Sequence, residues 1–144
     1  MIAPASLRAS SVTPRTSGAP GDADDALFAD PWCRAARAAG LAPWRYDVAT
    51  DRLVWSHALH AALGHPALPS APTVRWWMTQ VHPDDAAEAA RAYDAIGAGQ
   101  AETWRIPYRL RRADGGYAAV IDIGAAVRGP GGALVQLVGY VDVR

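Results

Sequence analysis

The second half of the chain is a long helical stretch followed by three alternating apolar runs. Two glycine turns separate the runs, so they can only form a meander. Trp104, Ile106, Tyr108 and Leu110 occupy every second position, the period of a strand with one buried face. Asp114-Gly115 is a hairpin signal. Beyond it, Tyr117, Ala119, Ile121 and Ile123 alternate in turn, and are expected to share the interior. Gly129-Pro130-Gly131-Gly132 turns the chain into a last strand from Leu134 to Val143. Pro107 lacks the N–H a central strand needs, which places the first of these strands at a sheet edge. Upstream, Pro83 follows His82 at a helix start. Asp84 and Asp85 lie where negative charge suits the helix N-terminus. Ala86, Ala89, Tyr93 and Ile96 make one face of that helix, and Gly97 and Gly99 end it.

The first half supplies the rest of the sheet and its cover. Residues 1–21 are rich in Ser, Pro, Ala, Thr and Gly, have no period, and read as a disordered tail. Residues 22–40 hold a flanking helix. Asp30 caps it, Pro31 starts it, Gly40 stops it, and Trp32, Ala35, Ala36 and Ala39 form a narrow stripe. The compact domain spans residues 41–144. Leu41 to Val48 and Arg52 to Trp55 read as two strands, with Trp44, Tyr46, Leu53 and Trp55 facing inward. Ser56 caps a helix from His57 to Leu63 that ends at Gly64. Residues 65–72, with three prolines, make a loop, and Thr73 caps a turn carrying Trp76 and Trp77. Two strands, short helices, then three strands predict an α+β fold with a five-stranded antiparallel sheet and helices on one face.

Composition narrows the function. A chain of 144 residues is one domain with one real core. Its net charge is zero, and all fourteen basic residues are arginine, spread too widely for a phosphate-binding surface. No pull on nucleic acid or on acidic membranes is expected. Cys33 is the only cysteine, which excludes an intrachain disulfide. No apolar run approaches the ~20 residues of a membrane span, and the N-terminus lacks a secretory signal, so the expected location is the cytoplasm. Neither Gly-x-Ser-x-Gly nor a P-loop is present, and the Gly129–Gly132 turn precedes a strand, not a helix. The chain is therefore expected not to be an enzyme.

The joint order of several short motifs resembles that of the PAS domains of signalling proteins, in particular the subclass called PAS fold-3. The motifs run from Trp44-Arg45-Tyr46-Asp47 through Trp55-Ser56, Leu63-Gly64 and Trp77 to Val81-His82-Pro83-Asp84-Asp85. Tyr108-Arg109-Leu110 with Asp114-Gly115, and Val138-Gly139 with Asp142-Val143, complete the series. The resemblance covers about residues 41–143 and implies a sensory or protein-interaction module without catalysis of its own. The alternative it implies is the sensor portion of a histidine kinase or cyclic-nucleotide enzyme whose catalytic part lies outside this chain. Three positions depart from the family pattern. Pro107 replaces an acidic residue, Ala119 a tryptophan, and Arg144 the last residue of an Asp-Ile-Thr ending that leads into a signalling helix.

The resemblance and the periodicity together select candidate residues. Trp44, Trp55, Trp77, Tyr93 and Tyr108 point to one interior, with Ala119 as a position where a ring is missing; these are the ligand-pocket candidates. The cofactor is left unknown. Covalent flavin photochemistry needs a cysteine in the helix after the second strand, which is absent. The haem-binding relatives commonly use a histidine on the long helix, and residues 84–98 have none. His57, His60 and His65 lack a carboxylate or cysteine at ligand spacing, so no metal site is expected. The thin alanine stripe of the flanking helix leaves sheet residues open. Trp32, Val120, Val138 and Tyr140 are the interface candidates, for a homodimer or a heterodimer with another signalling protein.

Overall fold

The computed structural model describes residues 28–65 and 72–144. The expected tail at 1–21, the start of the flanking segment and most of the proline loop lie outside the described residues. The described elements run in the order α1 (Pro31–Ala38), β1 (Ala42–Asp47), β2 (Arg52–Trp55), α2 (His57–Leu63), α3 (Val74–Gln80), α4 (Pro83–Gly97), β3 (Thr103–Arg111), β4 (Tyr117–Arg128) and β5 (Leu134–Val143). A single turn of 3₁₀-helix at Pro130–Gly132 joins the last two strands.

Each helix starts where a side chain satisfies its free amides. Asp30 accepts from Cys33 N, Ser56 from Leu59 N, Thr73 from Trp76 N, and the His82 ring from Asp84 N. Gly64 closes α2 at φ 72°, a backbone geometry that favours glycine.

The sheet is antiparallel throughout, in the order β2-β1-β5-β4-β3. After the β1–β2 hairpin, three helices carry the chain across one face to the far edge. The β3–β4–β5 meander then returns, and its last strand pairs with β1. Pro107 does lie on an edge strand. The edge is tied to α4 by a fork: Arg109 Nε and Nη2 donate to the two Asp85 carboxylate oxygens at 2.9 Å each. The Arg109 backbone N–H also donates to Asp85, at 2.9 Å.

The core lies between the sheet and α2, α3 and α4. Trp104, Ile106, Tyr108 and Leu110 are all buried there, as their alternation predicts. The phase of β4 is the opposite of the expected one. Ala118, Val120 and Asp122 are buried against the helices, while Tyr117 and Ala119 are exposed and Ile121 and Ile123 half-exposed on the other face. A strand has a period of two, so one misplaced residue inverts the whole set. The charge of Asp122 misleads: it suggests solvent, but the carboxylate faces inward, where three donors meet it.

Helix α1 sits on the other, outer face of the sheet. Trp32 packs on Tyr140 with ring centroids 5.4 Å apart, and Asp30 accepts from Arg45 Nη2 at 2.6 Å. Phe28 is fully buried, with the Arg45 guanidinium 5.8 Å from its ring centre.

Candidate functional site

One row of paired residues crosses the inner face of the sheet: Trp55, Trp44, Gly139, Gly124 and Trp104. The two central glycines let indoles lie down on the backbone. A Cβ on Gly139 would come 2.8 Å from Trp44 Cζ2 and 2.5 Å from the Ile123 carbonyl oxygen, and a Cβ on Gly124 would fall within the Trp104 indole. Trp44 and Trp104 thus come together with centroids 5.8 Å apart. Trp77, from α3, closes the set from above, edge-on to Trp55 at 5.1 Å and to Tyr108 at 6.4 Å.

Beside this aromatic floor sits Asp122, with no exposure to solvent. Its Oδ1 accepts from Trp44 Nε1 at 3.1 Å. Its Oδ2 accepts from the Tyr108 hydroxyl at 2.9 Å and from the Tyr93 hydroxyl. One carboxylate therefore ties together β1, α4, β3 and β4. Burial raises its pKa above the usual carboxylate range, and the hydrogen bonds from Tyr93 and Tyr108 oppose that shift. The Tyr93 and Tyr108 phenols are pushed well above their ordinary value, first by burial and then by the neighbouring Asp122 charge. Trp77 lies close enough to bias Tyr93, and Trp104 close enough to bias Asp122. Neither indole N–H reaches hydrogen-bond geometry, and with Trp55 they are buried donors without a partner among the described residues.

Next to the cluster lies an apolar cavity of about 20 Å³, lined by Trp44, Tyr46, Leu53, Trp77 and Tyr93 among others. That is room for about one water molecule. Of the pocket candidates, Trp44, Trp77 and Tyr93 line the cavity, and Trp55 and Tyr108 stand one ring further out. Ala119 is exposed on the opposite face, so it empties no space in the interior. Asp122, Gly124 and Gly139 escaped the sequence reading. The available signals were the single charge between Tyr117 and Val127 and two glycines in mid-strand.

The outer face carries the interface candidates in part. Val138 and Tyr140 are half-buried there, and Trp32 remains 45% exposed. Val120 is corrected: it is 2% exposed and faces the core, for the phase reason given above. Ile121 and Ile123 occupy the outer positions instead. Cys33, on the side of α1 that faces Arg45 of β1, is buried, and burial raises its thiol pKa. His60 and His65 are not free on a surface, since both rings contact Trp55, at 5.4 and 5.7 Å. Among the described residues no three His, Cys, Asp or Glu side chains are grouped to hold a metal, and no helix is long and apolar enough to cross a membrane.

A mixed layer of short helices over a 2-1-5-4-3 sheet, closed on an aromatic interior, defines a sensor-domain fold. The chain belongs to the PAS fold family, whose model matches residues 52–141. Among solved structures it is similar to the N-terminal domain of a diguanylate cyclase with PAS/PAC sensor from Marinobacter aquaeolei. The two are 25% identical, with a TM-score of 0.60 over 72% of this chain and 94% of that one. A sensory box histidine kinase/response regulator from Burkholderia thailandensis E264 matches at 22% identity and TM-score 0.67, covering 79% of this chain and 84% of that one. The PAS-B domain of Drosophila melanogaster Cycle with bound ethylene glycol shares the fold at 15% identity and TM-score 0.58, over 72% of this chain and 99% of that one. No curated protein sequence matches the chain.

Proposed function

We propose that this protein is a sensory and protein-interaction module of bacterial signal transduction, cytoplasmic and without catalysis of its own. It acts as a homodimer or against another signalling protein. The observation that carries this reading is the contrast between the two sheet faces. The inner face is closed by rings down to a cavity of about 20 Å³, whereas the outer face leaves Trp32 exposed and Ile121, Ile123, Val138 and Tyr140 only half-covered. The two faces are coupled by covalent geometry: inward Asp122 lies between outward Ile121 and Ile123 on one strand. A change at the Asp122 cluster, or a small acceptor-bearing ligand reaching the Trp77 N–H, shifts β4 and so alters the docking face.

The test is sedimentation of the full chain over a concentration series, with labelled ATP added in parallel. Self-association, or a defined partner complex lost on changing Ile123→Glu, supports the reading. Robust autophosphorylation overturns it. The similarity to kinase and diguanylate cyclase sensor domains favours a second reading, the sensor end of such an enzyme. The native gene product then runs well above 15.2 kDa in its source cell.

A further inference from the structure

Helix α1 covers only part of the outer sheet face. Asp30 at its start bonds Arg45 of β1, and Trp32 stacks on Tyr140 of β5, so the helix lies along those two strands. In the order β1-β5-β4-β3, β4 is two strand spacings from β1, about 10 Å. Packed helices stand about 8–10 Å apart, so the open strip beside α1 has the width of one more helix. Its floor is the outward row of β4, with Ala119 exposed and Ile121 and Ile123 half-exposed. One wall is α1, whose Trp32 is 45% exposed. The other wall, β3, is cationic. Its Arg105 and Arg111 are exposed and have no ion-pair or hydrogen-bond partner for their side chains among the described residues. Arg109, between them, is engaged with Asp85.

We propose that this strip receives an amphipathic helix of a different signalling protein, lying along β4 beside α1. Its apolar side chains meet Ile121 and Ile123, and its carboxylates meet Arg105 and Arg111. The two arginines are about 20 Å apart along the strand. A helix rises about 1.5 Å per residue, so carboxylates about 13 residues apart on one flank match them. A second copy of this chain does not supply such groups through the same face. The acids that α1, β1 and β5 turn to it are engaged: Asp142 is bridged to Arg144 at 2.9 Å, Asp30 to Arg45 at 2.6 Å, and Asp47 accepts from the Thr50 N–H and hydroxyl at 2.9 Å each. Face-to-face pairing of two copies adds two more unpaired arginines and no carboxylate free to meet them. This choice of partner rests on the docking role proposed above.

The test uses the full chain and a fluorescein-labelled helical peptide with a leucine stripe, glutamines elsewhere, and two glutamates about 13 residues apart on one flank. Two counterpart peptides carry glutamine or lysine in place of those glutamates. In dilute protein and about 0.1 M salt, anisotropy is expected to show the glutamate peptide binding about tenfold more tightly than the glutamine peptide, or about 1.4 kcal/mol. The lysine peptide binds most weakly. The preference is lost in about 1 M salt, where the screening length falls to about 3 Å. It is also lost in Arg105→Gln/Arg111→Gln, whose folding the urea midpoint checks. Amide signals of Ala119, Ile121 and Ile123 shift on binding, while those of Arg52–Trp55 at the far edge stay in place. Equal binding of the three peptides, absence of binding, or a preference that survives in Arg105→Gln/Arg111→Gln overturns the proposal. So does self-association that Ile123→Glu abolishes and the glutamate peptide leaves untouched; the occupant is then a second copy, and the docking role itself stands. Only a wild type that neither binds the peptides nor associates in sedimentation removes the docking role as well.

Discussion

Asp122 is the point where side chains of β1, α4 and β3 meet β4. Three donors from three elements converge on it in a site without solvent, so removing the acceptor leaves all three unpaired. Asp122→Ala is expected to lower stability by about 3 kcal/mol, and Asp122→Asn, which keeps one acceptor, by about 1 kcal/mol; urea unfolding midpoints measure both. The pH dependence has a definite sign. The folded pKa is raised above the ordinary 3.8, so this group's contribution is complete below that value and declines as pH rises through the folded pKa. The stability of the wild-type chain therefore falls on this account above about pH 4, and Asp122→Asn flattens the fall. Gly124 matters for what it lacks. Gly124→Ala drives a methyl into the Trp104 indole and is expected to cost about 1–3 kcal/mol, with a change in tryptophan fluorescence as the ring is displaced.

At the scale of elements, the long helix and the edge strand are joined by the Asp85–Arg109 fork. Hydrogen bonds from Arg109 are the main reason the Asp85 carboxyl is held down to about 2. A depressed folded pKa stabilises above the unfolded value of 3.8 and is lost as pH falls through about 2. Asp85→Asn should thus be less stable than the wild type at pH 5, and the difference should vanish by about pH 2 in an acid-unfolding series. A gap unchanged with pH would mean that the ionised Asp85 carboxylate contributes nothing beyond its neutral form. The far end of α4 is held in the same manner, since Arg128 donates to the Ile96 carbonyl at 2.9 Å and to Glu102 at 2.9 Å. Both ends of the helix are therefore fastened to the meander, and Tyr93 fastens its middle through Asp122.

For the whole molecule, the asymmetry of the two sheet faces sets behaviour in solution. The inner face is filled; the outer is only partly covered by α1. Trp32→Ala removes the largest ring from that cover without touching the core, and is expected to weaken association in sedimentation while leaving the urea midpoint nearly unchanged. A strictly monomeric wild type at high concentration, with no partner complex, would count against the docking role.

What could be read from residues alone was whatever local rules decide. Capping by Asp30, Ser56 and Thr73, the stops at Gly40 and Gly64, the hairpin at Asp114-Gly115, the edge position of Pro107 and the inward rows of β1, β2 and β3 follow from periods and turns. The family order of motifs then led to the PAS fold, which the match over residues 52–141 establishes. The phase of β4 could not be settled in this way. Two isoleucines and one aspartate alternate there, and transfer free energy favours the isoleucines inside. Only the assembled core shows that Trp44, Tyr93 and Tyr108, far apart in sequence, deliver three hydrogen bonds to one point and make the carboxylate the buried partner. The same holds for Gly124 and Gly139, whose bareness has meaning only once two indoles from other strands come to rest on them. Local preference reaches a few residues along the chain; the price of burying a charge is settled by neighbours that only the tertiary fold supplies.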